Sequence, residues 1–315
     1  MRSLCLALMG AATLAAGCSD SGTSEPPVDD GIIVDVPPPP SGAKRLVTPT
    51  FPVEGGTEVF MCMRVPFEVK EDLYVNSSLA YQATGGHHSL LYYTPPDQLP
   101  LKDEPHECED SDMGNIRFIG VGTGDGVGIS LPKGMALKIP AGAKIYTQSH
   151  YLNTGSERMI AQDVLDLITI PAAEVEQVAG AFTEVDLGLE LPANAETTRK
   201  IDCTAPTEMT VPWMIPHMHE LGFHIKLEIV SNGVTSTVYE TPWEEALRDH
   251  FPVVEFEPHL KLTPADRIVT TCTWRNTKST PLLFPAEMCA TFMPFYPSAN
   301  GAMLACDETG KHFEP

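Results

Sequence analysis

From about residue 46 onward, apolar and polar positions alternate in short runs broken by Pro, Gly, Asn and Asp. That two-residue period is the signature of half-buried β-strands. In the first half, "TEVFMCMRVPFEV" (57–69), "HHSLLYYT" (87–94), "MALKIPAG" (135–142), "KIYTQSHYLN" (144–153) and "VLDLITI" (164–170) predict strands. In the second half, strands are expected in "FTEVDLGLEL" (182–191), "KIDCTAPTEMTVPWMI" (200–215), "FHIKLEIVS" (223–231), "TSTVYETPW" (235–243), "RIVTTCTWRNT" (267–277) and "EMCATFMPFYP" (287–297). Asn232-Gly233 is a hairpin signal. The glycine-rich run "FIGVGTGDGVGISLPKG" (118–134) does not match a phosphate loop and predicts a loop or bulged strand. A polar, acidic stretch at 172–178 separates the halves. The expectation is an all-β fold of two tandem antiparallel β-sandwiches, jelly-roll-like, over 46–175 and 176–315.

Length supports two domains: 315 residues with 43% hydrophobic content supply one large core or two ordinary ones, and 29 prolines disfavour long helices. The formal charge of −22 argues against nucleic-acid binding and against adhesion to anionic lipid surfaces.

The N-terminus changes the compartment. "MRSLCLALMGAATLAAGCSD" has the charge, apolar stretch and small residues of an export signal over 1–17, too short to span a membrane. "LAAGC" resembles the bacterial lipobox, with Ala15 where Leu is more frequent, and makes Cys18 the expected lipidation site. An ordinary cleaved signal is the alternative. Residues 18–45, with four prolines at 37–40, read as a Pro/Ser/Asp-rich tether outside the fold. The expected location is the bacterial cell envelope, as an exported lipoprotein, periplasmic or surface-facing.

Six cysteines follow the lipobox: Cys62, Cys108, Cys203, Cys272, Cys289 and Cys306. An even number in an exported chain suggests three disulfides, with fifteen connectivities open and no CxxC spacing for a thiolate metal or redox site.

The chemistry is concentrated in the histidines. His217 and His219 in "VPWMIPHMHELGFHIKLEI" (211–229) are two apart and share a strand face, a pairing suited to zinc or copper that needs at least one further ligand. His87 and His88 are adjacent and can meet on one ion only at a strand end or bulge, which Gly85 and Gly86 permit. His150 stands in "TQSHYLN". His224 is left out because its face is uncertain.

"MCMRVP" (61–66), "HHSLLYY" (87–93), "LPKGMALKI" (131–139), "QSHY" (148–151), "HMHELG" (217–222), "TTCTWRNT" (270–277) and "EMC" (287–289) occur in one order over most of the body. Together they resemble the copper type II ascorbate-dependent monooxygenases, the family of peptidylglycine α-hydroxylating monooxygenase and dopamine β-monooxygenase. The resemblance implies two coppers per chain, one in each domain, facing a shared cleft. It matches His87, His88 and His150 to an electron-transfer copper, and His217, His219 and Met288 to a catalytic copper. It also pairs Cys62 with Cys108, Cys203 with Cys306, and Cys272 with Cys289. Imidazole tolerates both copper oxidation states, and a thioether favours Cu(I).

The implied activity is hydroxylation of a C–H bond with O2 and ascorbate or another one-electron donor. The implied partners are a small-molecule or peptide substrate, O2, the electron donor, and a membrane through the lipid anchor. The residues with which the peptide-amidating branch holds a terminal carboxylate are replaced by Ile215, Phe292 and Ala290, so a substrate anchored by its carboxylate is not expected. Gln148, Ile215 and Phe292 are the candidate cleft residues, with Met214, Phe295 and Tyr296 as further apolar wall. Two rival readings are a non-catalytic copper-binding envelope lipoprotein and a zinc hydrolase built on the HxH pair with Glu220 nearby.

Overall fold

Alternation along the chain becomes strands wherever one face finds a core. The computed structural model describes residues 31–113, 116–298, 301 and 303–314. The expected signal segment and Cys18 lie outside the described residues. The protein is all-β, and its longest described α-helix is the four-residue Ala246–Asp249.

The large sheet orders its strands Ala43–Val47, Asp163–Thr169, Leu73–Gln82, Met135–Ile139, Gln177–Val185, Cys289–Phe295, Met209–Met218 and Val254–Leu262. A six-stranded sheet containing Thr57–Glu68, Lys144–Asn153, Gly86–Thr94 and Arg117–Thr123 packs on its N-terminal part. Leu46, Val75 and Leu165 meet Val65, Leu91 and Ile145 in that core. A four-stranded sheet of Ala195–Thr204, Arg267–Asn276, Gly222–Ser231 and Val234–Pro242 packs on the C-terminal part. There Phe182, Val211 and Phe295 meet Ile201, Leu227 and Trp274. Each half is therefore a β-sandwich.

Two features depart from the expectation. The sheets are not wholly antiparallel: Gln177–Val185 runs parallel to Met135–Ile139 and to Met303–Cys306. That pairing carries one sheet through both halves, and Trp213, Ile215, Leu131 and Leu137 pack together beside it. The chain from Ile32 onward is accordingly one compact unit. The tether also ends earlier than residue 45. Ile33 N–H donates to Gln162, and Ala43–Val47 pairs with Asp163–Thr169 at the sheet edge. Arg45 makes two hydrogen bonds to the buried Asp166, and Leu46 is buried. These contacts give residues 33–47 a place in the body that their proline-rich composition conceals.

Turn chemistry explains other details. Asn232 and Gly233 have φ of 51° and 76° and join Ser231 directly to Val234, the two-residue hairpin their sequence specifies. The run 118–134 contributes the paired strands Arg117–Thr123 and Val127–Gly128. The stretch 200–215 breaks into two strands at residues 205–208, where the chain crosses between sheets.

Candidate metal centres

His150 and His88 are directly opposed on antiparallel strands, and the next pair is Tyr151 with Gly86. One residue, His87, is thereby left over: it is the extra residue of a β-bulge. A bulge re-aims its side chain, which is how adjacent histidines come to one place. His87 and His88 each lie with ring centroids 4.9 Å from that of His150. Two imidazoles bound to one ion at roughly 2.0–2.1 Å put their ring centres about 5 Å apart, so both spacings fit a shared ion.

The Nδ1 atoms of all three rings are shielded from solvent. His150 itself is fully buried, and its Nε2 lies 2.8 Å from Glu58 Oε1. An ionised carboxylate only accepts, so Nε2 carries the proton and Nδ1 keeps the lone pair.

Behind this group a buried polar hub locks the strands. Asp163, wholly buried, accepts from Ser89, Ser149, Tyr151 and Gln82. Gln82 also donates to the carbonyls of His88 and His150. Burial pushes the Asp163 carboxyl above the usual range, against the pull of its hydrogen bonds.

The second group sits on the C-terminal half. Cα partners His217–Ala290 and Met218–Cys289 end the paired strands, and His219 and Met288 are the next residues beyond them. Alternation continued by that one residue puts His217, His219 and Met288 on one face. The rings of His217 and His219 are 5.1 Å apart at 81°. His219 Nδ1 is 3.2 Å from the carbonyl of Ala286, an acceptor, so Nδ1 carries the proton and Nε2 keeps the lone pair. Desolvation holds the His219 imidazole below its usual pKa, which favours the neutral form.

Two constraints hold Met288. Cys289 is bonded to Cys272 on the facing sheet. Glu287 accepts from Leu221 N–H at 2.7 Å and from Trp274 Nε1 at 3.2 Å, tying the turn after His219 to the segment before Met288. Burial pushes the Glu287 carboxyl up to about 7. The other disulfides are Cys62–Cys108 and Cys203–Cys306, so all three follow the pairing the resemblance implies.

The groups face each other across Phe60. Its ring stacks on His150 at 4.1 Å and 4°, and lies 6.4 Å from His219 at 17°. Phe60, Glu58 and Arg248 were not singled out in the sequence, where nothing but the alternation of Glu58 and Phe60 hints at a shared face.

Among the cleft residues, Gln148 is half-buried and two before His150, on the same face. Phe292 is half-buried with its ring 6.1 Å from His217. Ile215, cross-strand from Phe292, is buried in the cluster joining the halves. Met214 and Phe295 are not wall residues: both point into the C-terminal core. Tyr296 instead shares a 2.9 Å hydrogen bond with His259. Glu220 is ion-paired with Lys278 at 2.5 Å. His87 lines an open groove of about 330 Å³ with Thr84, Thr123, Asp125 and His250.

Among the described residues, no three His, Cys, Asp or Glu side chains already converge as a metal-holding group. The second group has two histidines and a thioether, a set outside those four residue types.

No protein-family model matches the chain, and no curated protein matches its sequence. Similar solved structures include the major capsid protein P2 of Bacteriophage PM2, at TM-score 0.35 and 9% identity over 82% of this chain and 99% of that one. The infectious bursal disease virus Gx strain structure aligns at TM-score 0.21 and 8% identity, over 85% and 76%. A putative α-L-fucosidase from Bacteroides ovatus aligns at TM-score 0.20 and 9% identity, over 78% and 39%. Likenesses this slight carry no argument about what the chain does.

Proposed function

We propose that this protein is an exported copper-dependent monooxygenase that hydroxylates a C–H bond using O2 and an external one-electron donor. The observation that carries the reading is the facing pair of side-chain groups, each with its lone-pair nitrogen set by a named hydrogen bond. His150 offers Nδ1 because Glu58 holds Nε2, and His219 offers Nε2 because Ala286 holds Nδ1. Second contacts of this kind fix the tautomer and orientation of metal-binding histidines.

His87, His88 and His150 would hold one copper, and His217, His219 and Met288 the other. Copper bound there supplies one-electron redox chemistry and O2 activation. The chain's own residues do the rest. The Cys272–Cys289 bond and the Glu287 contacts hold Met288 at the edge of its strand. Phe292, beside His217, offers an apolar surface, and Ile215 behind it brings no cation. A buried carboxylate there would lack a partner and be costly, which favours a substrate bound by apolar contact. The three disulfides fit an oxidising envelope compartment.

Metal stoichiometry tests the reading. The purified full-length chain, loaded with copper and freed of loosely bound metal, should retain two ions. Met288→Ile should retain one and lose substrate hydroxylation. His87→Ala should stop steady turnover while the Met288 group still binds copper. A parent chain retaining fewer than two ions, or full turnover in Met288→Ile, would overturn it.

A further inference from the structure

His150 belongs to the N-terminal half, yet its environment is completed from the other half. Glu58 Oε1 lies 2.8 Å from His150 Nε2 and 3.2 Å from Arg248 Nη1. Arg248 stands on the helix Ala246–Asp249, only 4% exposed, and also faces Glu245 at 3.7 Å. Phe60 is the Cα partner of His150, and Glu58 lies two residues earlier on the same face.

We propose that Glu58 is the positioning residue of the N-terminal histidine group, and that Arg248 of the C-terminal half holds it in place. Glu58 locks the proton on His150 Nε2, which leaves Nδ1 as the donor atom. Phe60, flat against the ring, fixes its plane. Arg248 restrains the carboxylate that sets the donor atom of His150.

The lock follows from donor chemistry. A carboxylate between an imidazole and a guanidinium has only acceptors, and both neighbours must donate to it. Arg248 keeps its proton, so its guanidinium can only donate to the Glu58 carboxylate. The affinity of one half for its ion then depends on a cation supplied by the other. The affinity part of this inference rests on the copper reading; the tautomer part does not.

The experiment uses the full-length chain with 15N-labelled histidine. Two-bond proton–nitrogen correlation on the metal-free protein should show His150 entirely in the Nε2–H form. Glu58→Ala should turn it into a tautomer mixture, whereas Glu58→Gln, whose amide oxygen still accepts, should preserve it. Arg248→Met should give an intermediate result. In the Glu58→Ala/Arg248→Met double variant no buried guanidinium loses an anionic partner, so it serves if Glu58→Ala folds poorly. It too should show the mixture.

Copper affinity is then measured by chelator competition in a His217→Ala background, which leaves the N-terminal group to be read alone. Glu58→Ala should weaken it about 10- to 100-fold, the usual effect of removing such a contact, and Glu58→Gln should restore most of the loss. An unchanged tautomer and affinity in Glu58→Ala would overturn the proposal. A parent whose tautomer depends on Glu58 but which binds no copper at this group would instead overturn the copper reading and leave the positioning role standing.

Discussion

Thr270 donates its hydroxyl to Glu184 Oε2 at 2.7 Å in the middle of the C-terminal core, where neither residue has any exposure. Desolvation pushes the Glu184 carboxyl up to about 8 from an ordinary 4.5, against the hydrogen bond from Thr270. The folded state therefore keeps a proton that the unfolded chain releases above pH 4.5. The stability contribution is full below that pH and is lost as pH rises towards 8. Glu184→Gln removes the dependence. Urea unfolding at pH 5, 7 and 9 should show the variant gaining on the parent as pH rises, by on the order of a few kcal/mol. Parallel pH profiles would contradict this account.

Gly86 precedes the bulged His87, and a Cβ there would collide with Gln82 Cβ. Gln82 cannot retreat without releasing the carbonyls of His88 and His150. Gly86→Ala should cost about 1–3 kcal/mol as an overpacked site. It should also lower copper retention from two ions to one, read by metal analysis beside a thermal melt.

Cys272 and Cys289 close a short loop, 17 apart in sequence, that ends beside Met288. Replacing both with Ala should destabilise the protein by about 3 kcal/mol through the freed unfolded chain. Copper at the C-terminal group should be held more weakly in chelator competition, with the N-terminal group unchanged.

Glu287 accepts from two buried or half-buried donors. Glu287→Leu leaves the Leu221 amide and the Trp274 indole unpaired, at about 1–3 kcal/mol for each. Chemical denaturation should register that loss, and hydrogen exchange at Leu221 should accelerate.

Much of the candidate site was legible because strand alternation is a local rule. His217 and His219 share a face whatever surrounds them, and Gly85-Gly86 before two histidines announced a distortion that His87 supplies as a bulge. The docking of the chain from residue 33 is not legible in its composition, because proline content says nothing about a partner 129 positions away, Gln162. Met214 and Phe295 lie in the core and not on the cleft wall, a distinction the sequence does not carry because an apolar residue looks the same on either side of a sheet.

Local pattern by itself determined the all-β class, the Asn232-Gly233 hairpin and the same-face histidine pair, because each depends on neighbours within a few residues. Residue counting left fifteen disulfide connectivities open, which only the fold, or a relative's fold, can narrow to one. Tertiary structure alone decided that Glu58 stands between His150 and Arg248, 92 and 190 positions away, and that the Phe60 ring stacks on His150 and lies 6.4 Å from His219. Such contacts depend on where whole sheets dock, and docking is set by the summed burial of two cores and their junction, which no short window of sequence contains.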